Sequence, residues 1–162
     1  MMFAMKPVAF VAAARRSPDD DYWGAQQACI TLVADLAADA LAGLESFSHV
    51  EVLFVFHGVE PSQVVTGARH PRSNRQWPKV GIFAQRAKDR PNRIGSTICP
   101  IVRVSDRSLY VRELDAIDAT PVLDLKPVMR EFLPRSQVHQ PAWASELMQH
   151  YWSSSSGQHS AE

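Results

Sequence analysis

Cysteine is scarce in this sequence, with Cys29 and Cys99 the only two. Both sit in apolar, strand-like surroundings with no His or Cys at metal-ligand spacing, so neither a disulfide framework nor a zinc site is supported, and two buried thiols are expected. Long apolar runs are also missing. Apolar runs such as Val52 to Phe56 are far too short to span a membrane. The start of the chain does not read as a secretory signal, because its apolar stretch Val8 to Ala14 precedes Arg15 and Arg16 instead of following a basic segment. No membrane association and a cytoplasmic address are therefore expected. Glycine is sparse too, and no two glycines occur as Gly-x-Gly. That excludes a dinucleotide-binding Rossmann fingerprint and a Walker phosphate loop. A Gly-x-Ser-x-Gly elbow and a His-Glu-x-x-His helix are absent as well, and no metal site is expected.

What is present fits one soluble domain. The chain has 162 residues, 46% hydrophobic and 21% charged, which is enough to bury its own core but not to build two separate ones. We expect a single domain over residues 1–152 and a disordered Ser-rich tail at 153–162. The formal net charge is zero, yet the charges are unevenly spread. Arg69, Arg72, Arg75, Lys79, Arg86, Lys88, Arg90 and Arg93 fall in one segment with Asp89 as its only acid. The acids gather instead at Asp19 to Asp21 and between Asp115 and Asp124. A basic segment on a neutral background is the expectation.

The pattern predicts strands at Val8 to Ala13 and at Cys29 to Val33, then a short helix over Ala34 to Leu44 with Gly43 near its stop. Residues 47–57, rich in β-branched and aromatic side chains, predict a central buried strand. A long polar loop reaches Pro78. Further strands are predicted at Lys79 to Ala84, Ile98 to Val104 and Leu109 to Glu113, the last two joined by the turn Ser105 to Ser108. Pro141 to Tyr151 predicts a peripheral C-terminal helix that begins at a proline. Many strands and few helices predict a mainly β fold, a small antiparallel β-barrel.

Three segments place polar residues at strand ends, where a rigid scaffold commonly exposes a site. His57 and Gly58 end the central strand, although a terminal His is more often a hydrogen-bonded structural residue. Residues 81–95 carry Arg86 and Arg90, four apart, and a Pro91-Asn92 turn able to present backbone amides and carbonyls to a bound group. A basic, solvated turn is the equal alternative. Residues 114–127 hold Asp115, Asp118 and Asp124 in an apolar run, where carboxylates can accept hydrogen bonds from ribose hydroxyls or an ammonium, or can serve as turn residues before Pro121.

Taken together, GLESFSHVEVLFVFH (43–57), VGIFAQRAKDRPNRIGSTIC (80–99) and LDAIDATPVLDLKP (114–127) resemble, in order and spacing, the signature segments of the TrmO (TsaA, YaeB-like) family. The resemblance covers residues 43–127 and, more loosely, the first strand. It implies a small β-barrel that works as a homodimer, with S-adenosylmethionine held near the subunit interface. The implied reaction is N6-methylation of threonylcarbamoyladenosine beside the anticodon of tRNA. Carried over residue by residue, the cofactor contacts fall on His57, Gly58, Arg86, Arg90, Pro91, Asn92, Ile94, Gly95 and Ser96, then Asp118, Thr120, Pro121 and Leu123. Asp118 and Asp124 are the candidates for a general base. Arg69, Arg72, Arg75, Lys79 and Lys88 are candidates for gripping phosphates of the anticodon arm. The sequence also departs from the family. Its early Pro-Arg-Gln loop is replaced by residues 19–26, where Tyr22, Trp23 or Gln26 could substitute, and the C-terminal domain of longer members has no counterpart. The rival readings are a methyltransferase of the same fold acting on another nucleoside or small molecule, and a module that binds S-adenosylmethionine or RNA without catalysis.

Overall fold

The computed structural model describes residues 3–154, so most of the predicted tail lies outside the described residues. Eight strands form: β1 (Ala9–Ala13), β2 (Gln27–Leu32), β3 (His49–Val55), β4 (Ala68–Arg69), β5 (Val80–Gly81), β6 (Ile94–Ser105), β7 (Ser108–Arg112) and β8 (Pro121–Pro127). Six of them close an antiparallel barrel in the order β1-β2-β7-β6-β3-β8, while β4 and β5 make a separate two-stranded ribbon. The predicted small antiparallel barrel is thus observed.

Alternation builds the wall. In β3, Val50, Val52 and Phe54 point inward and are almost fully buried, while Glu51, Leu53 and Val55 face out and are only partly covered. The apolar composition of this stretch predicts a central buried strand. A barrel wall has one inner face, so the run is half core and half outer surface. Ala9, Val11, Ile30, Leu109, Val111 and Val122 complete the same core. Cys99 is buried there, whereas Cys29, expected to be buried, is half-exposed on the outer wall.

Three other expectations are corrected. Residues 34–44 do not form a helix but two short 3-10 turns, Ala38–Leu41 and Leu44–Ser46, with Gly43 in the left-handed region between them at φ 88°. The segment only links β2 to β3, and apart from the buried Leu41 its Ala37 to Ala42 stretch is exposed, so little packing offsets the cost of nucleating a helix. Lys79 to Ala84 forms only the short β5 and a 3-10 turn, because the apolar residues there do not alternate and Gln85 binds the Val80 carbonyl at 3.0 Å. Conversely, Pro121–Pro127, read for its chemistry, is a strand, and β8 closes the barrel by pairing with both β1 and β3. The C-terminal helix α1 (Ala142–Leu147) forms at the expected proline but is shorter than predicted.

The register puts the end of β1, the start of β2, the end of β3, the start of β6, the end of β7 and the start of β8 at one end of the barrel. The connections 14–26, 56–93 and 113–120 therefore emerge there, while 33–48 joins β2 to β3 at the opposite end. One glycine fixes a tight point of this end. Gly95 lies opposite Phe54, and a Cβ at Gly95 would sit 2.5 Å from the Phe54 ring. We expect Gly95→Ala to destabilise the fold by about 1–3 kcal/mol through overpacking, measured by urea unfolding. Gly67→Ala, where nothing lies within 4 Å, should stay within about 0.5 kcal/mol of the parent.

Candidate functional site

The barrel is not evenly paired at this end. β3 covers β6 from Ile94 to Pro100, but β7 pairs with β6 only from Ile101 onward. The first half of β6 therefore has one flank without a strand partner. Residues 113–120 cross to β8 beside that flank, and side chains supply the bonds a strand would have made. The Cys99 thiol lies 3.8 Å from the Glu113 carbonyl, Thr97 donates its hydroxyl to Asp115, and Arg86 donates to the Ser96 carbonyl.

Asp115 is the junction. Besides Thr97 it accepts the hydroxyl of Tyr151, from the turn that follows α1. That turn is tied to the early loop, since Trp23 and Tyr22 donate backbone amides to Tyr151 and His150 at 2.8 and 3.1 Å. Gly24 permits the approach: a Cβ there would fall 1.9 Å from the Trp152 carbonyl oxygen. Arg15 organises the loop from inside, with its guanidinium 3.7 Å over the Trp23 ring and bonds to the Asp21 and Tyr22 carbonyls at 2.9 and 3.2 Å. The family resemblance assigns no role to Asp115 or Tyr151. Asp115 is visible inside the third motif, but Tyr151, 36 residues further along the chain, has no sequence signal.

Most of the residues taken over from the motifs do converge. Phe56 donates to the Arg93 carbonyl at 2.8 Å, and Arg93 reaches back to the Val59 carbonyl at 2.6 Å, so His57 and Gly58 lie beside the Arg90-Pro91-Asn92 turn and Ile94. Arg90 itself is tied to the Gln85 carbonyl at 3.0 Å. The turn at Asp118 to Pro121 stands beyond β3 on the β1 side, where Ala119 donates to the Val11 carbonyl at 2.8 Å, Val11 donates to the Thr120 carbonyl at 3.0 Å and Asp118 accepts the Ala13 amide at 3.1 Å. Leu123 is the extra residue of a β-bulge opposite Leu53 and Phe54, a device often found beside sites. Within this group, His57, Gly58, Arg86 and Asn92 are exposed, Arg90, Pro91, Ile94, Ser96, Pro121 and Leu123 are half-buried, and Gly95 and Thr120 are packed into the interior.

Asp124 stands apart from the turns. It sits on the outer wall opposite Leu53 and is paired with Lys126 at 2.5 Å. Trp23 is also unavailable as a ligand contact, being 3% exposed beneath Arg15.

The basic segment is not an unbalanced positive surface, which corrects the expectation from its composition. Arg69 makes a two-pronged pair with Asp89 at 2.5 Å. Arg72 does the same with Asp21 at 2.9 and 2.8 Å, and Lys88 reaches the Pro18 carbonyl and Asp20 at 3.0 and 3.5 Å. The acidic loop, distant in sequence, folds onto the basic one. Arg75 and Lys79 remain exposed without such pairs among the described residues.

Burial first, and then the Asp115 charge, push the Tyr151 phenol well above its ordinary 10.0 and the Cys99 thiol well above its ordinary 9.0. Both are neutral when protonated and their folded-state values are raised, so the folded chain keeps these protons while the unfolded chain releases them. Their contribution is complete below pH 9.0 and is lost as pH rises, by about 1.4 kcal/mol per pH unit for each group. Urea unfolding at a series of alkaline pH values should show this decline, and Tyr151→Phe should reduce its slope above pH 10.0 by about one proton. An unchanged slope in that variant would contradict the buried phenol.

Comparison with known proteins bears on this end of the barrel. The family model of the tRNA-methyltransferase O N-terminal domain matches residues 14–132. The chain is 39% identical over 102 residues to the human tRNA (adenine(37)-N6)-methyltransferase, covering 63% of this chain and 23% of that protein. It is 37% identical over 118 residues to the Escherichia coli tRNA (adenine(37)-N6)-methyltransferase, covering 68% and 50%. A third relative, the "Probable S-adenosyl-L-methionine-binding protein VirR" of Rhizobium radiobacter, is 38% identical over 99 residues, covering 61% and 54%. This chain thus spans between 23% and 54% of the length of these relatives. The crystal structure of TrmO from Pseudomonas aeruginosa matches with a TM-score of 0.70 at 26% identity, over 86% of this chain and 61% of that one. With the family model spanning well over half of its residues and its barrel shared with a solved TrmO, the chain belongs to the tRNA-methyltransferase O N-terminal domain family.

Proposed function

We propose that this chain is an S-adenosylmethionine-dependent methyltransferase acting on N6 of the threonylcarbamoyl-modified adenosine beside the anticodon of tRNA. The observation that carries the reading is the convergence of the family's motif residues, His57 to Gly58 and Arg90 to Ser96, on the barrel end where β6 is paired on one side only. The donor set suits a sulfonium nucleoside. Exposed backbone at Gly58 and Asn92 can meet its amino-acid and ribose groups, the half-buried Val55, Ile94 and Leu123 can face its adenine, and Arg86 can meet its carboxylate.

When bound, S-adenosylmethionine supplies a methyl group already activated by the sulfonium. The task left to the protein is alignment and proton removal. The half-paired edge and the ordered loops would hold the acceptor in line and limit water. Of the two candidate carboxylates, Asp118 has the better placement for a base, with 37% of its side chain exposed and its backbone amide held by the Arg15 carbonyl just past β1. Asp124 is engaged by Lys126 on the outer wall.

No helix among the described residues is long and apolar enough to cross a membrane, and a tRNA substrate suits a cytoplasmic enzyme. Two hollows among the described residues, lined around Phe132 and around Cys29, include neither His57 nor Asn92. A second copy covering this end to complete the cofactor site, in a homodimer, is part of the proposal.

Calorimetric titration with S-adenosylmethionine tests the cofactor. Arg86→Ala should weaken binding by about tenfold or more, the value of a charged hydrogen bond, whereas Arg75→Ala, on an exposed loop, should leave it unchanged. Mass spectrometry of tRNA nucleosides from a strain lacking the protein tests the substrate, and loss of the methylated threonylcarbamoyladenosine is expected. Cofactor binding with unchanged nucleosides would move the reading to another acceptor, and no cofactor binding would end it.

A further inference from the structure

The outer face of β1, β2, β7 and the end of β6 plays no part in the cofactor site described above. Across this face Ala12 stands opposite Cys29, Cys29 opposite Tyr110, and Tyr110 opposite Arg103. At normal strand spacing this row spans roughly 14 Å. The row nearer the functional end pairs Gln27 with Arg112. Small side chains keep the middle of the face low, and a shallow groove of about 610 Å³ runs along it. Its rim reaches Asp118 and Arg16, so the groove opens onto the turn that borders the functional end.

Two features of the groove point to one kind of occupant. The Arg103 guanidinium carbon lies over the Tyr110 ring, 3.5 Å from its centroid, and places a planar cation on an exposed sheet face. The charge is also one-sided. Arg16 is 85% exposed with only a distant contact to Asp118 at 3.9 Å, and among the described residues Arg103 and Arg112 make no ion pair. The basic 69–93 segment differs, because its foremost cations are held by acids of the same chain. A cation over an aromatic ring beside unpaired guanidinium groups suits single-stranded nucleic acid, since bases stack on planar groups and phosphates seek unpaired cations.

We infer that this face docks a single-stranded stretch of RNA, the loop nucleotides next to the target adenosine. The inference rests on the reading of tRNA as substrate and adds the surface that holds it. A base stacks on the outer plane of Arg103, and flanking phosphates are met by Arg16 and Arg112. A second copy of this chain is a poor occupant, because a self-complementary contact would bring like charges together.

The test is fluorescence anisotropy of the full chain with a fluorescein-labelled anticodon stem-loop RNA over a range of salt. Arg103→Glu and Arg16→Glu should each weaken binding by about tenfold or more and reduce the salt dependence, whereas Arg130→Glu, on an exposed segment past the opposite end of the barrel, should do neither. All three substitutions are at exposed positions, and circular dichroism confirms that each variant folds. No effect at Arg103 and Arg16, an equal effect at Arg130, or no RNA binding by the parent chain overturns the inference. A change in sedimentation with unchanged RNA affinity also overturns it, in favour of a second copy. If the parent binds RNA through these arginines but transfers no methyl group to tRNA, docking stands and the enzymatic reading fails. If Arg103→Glu and Arg16→Glu methylate tRNA as the parent does at limiting RNA, docking fails and the enzyme stands.

Discussion

One carboxylate holds the functional end together. β6 leaves half of one flank without a strand partner, and the barrel can keep that opening only if something other than a sheet ladder satisfies and orders it. Asp115 does this by accepting two hydroxyls from distant parts of the chain, Thr97 on β6 and Tyr151 after α1. Because the neighbouring Trp23 amide bonds the Tyr151 carbonyl, the same junction sets the position of the early loop. The early loop in turn positions the basic one through Asp20 and Asp21. A chain of contacts thus runs from one half-paired strand to both loops that border the site. Each link is short-ranged, and the ones nearest the barrel are the best shielded from water.

The barrel was legible in the sequence because its signals are local. The β-branched and aromatic side chains of residues 47–57 and the turn between Ser105 and Ser108 are each read from a few neighbouring residues, and β3 and the β6–β7 hairpin follow. The absence of a helix at 34–44 was not legible, since alanine and leucine at helical spacing say nothing of how little surface the segment would find to bury. β8 is masked for a different reason: Asp124 within it and Asp115 and Asp118 before it read as chemistry, although Val122 at its inner face is core. At the site, motif order correctly brought Gly58, Asn92 and Pro121 to one end, because motifs at the ends of neighbouring strands inherit the register of the barrel. Tyr151 was invisible, as its role comes from a contact between segments 36 residues apart with no repeating pattern.

Charge gives the clearest case of sequence and structure disagreeing. Counting basic residues between Arg69 and Arg93 suggests a surface for a polyanion, yet folding places Asp20 and Asp21 against Arg72 and Lys88, and Asp89 against Arg69. A cation already holding a carboxylate in two-pronged geometry has little left to offer a phosphate, because exchanging one anion for another gains little. Those arginines order the loops. Of that segment Arg75 and Lys79 stay unpaired among the described residues, and elsewhere Arg16, Arg103 and Arg112 are exposed beside a groove with a single carboxylate at its rim.

That division has a physical consequence for how the two surfaces respond to salt. The Arg69–Asp89 pair is partly shielded, with 33% and 19% of its side chains exposed, so screening by ions reaches it weakly. The guanidinium groups beside the groove are in water, where screening is strong and counterion release governs binding to a polyanion. Raising the ionic strength therefore weakens attraction at the outer face well before it loosens the loops around the barrel end. The order of the site and the grip on a charged partner are governed by separate sets of arginines, so one can be tuned without dismantling the other.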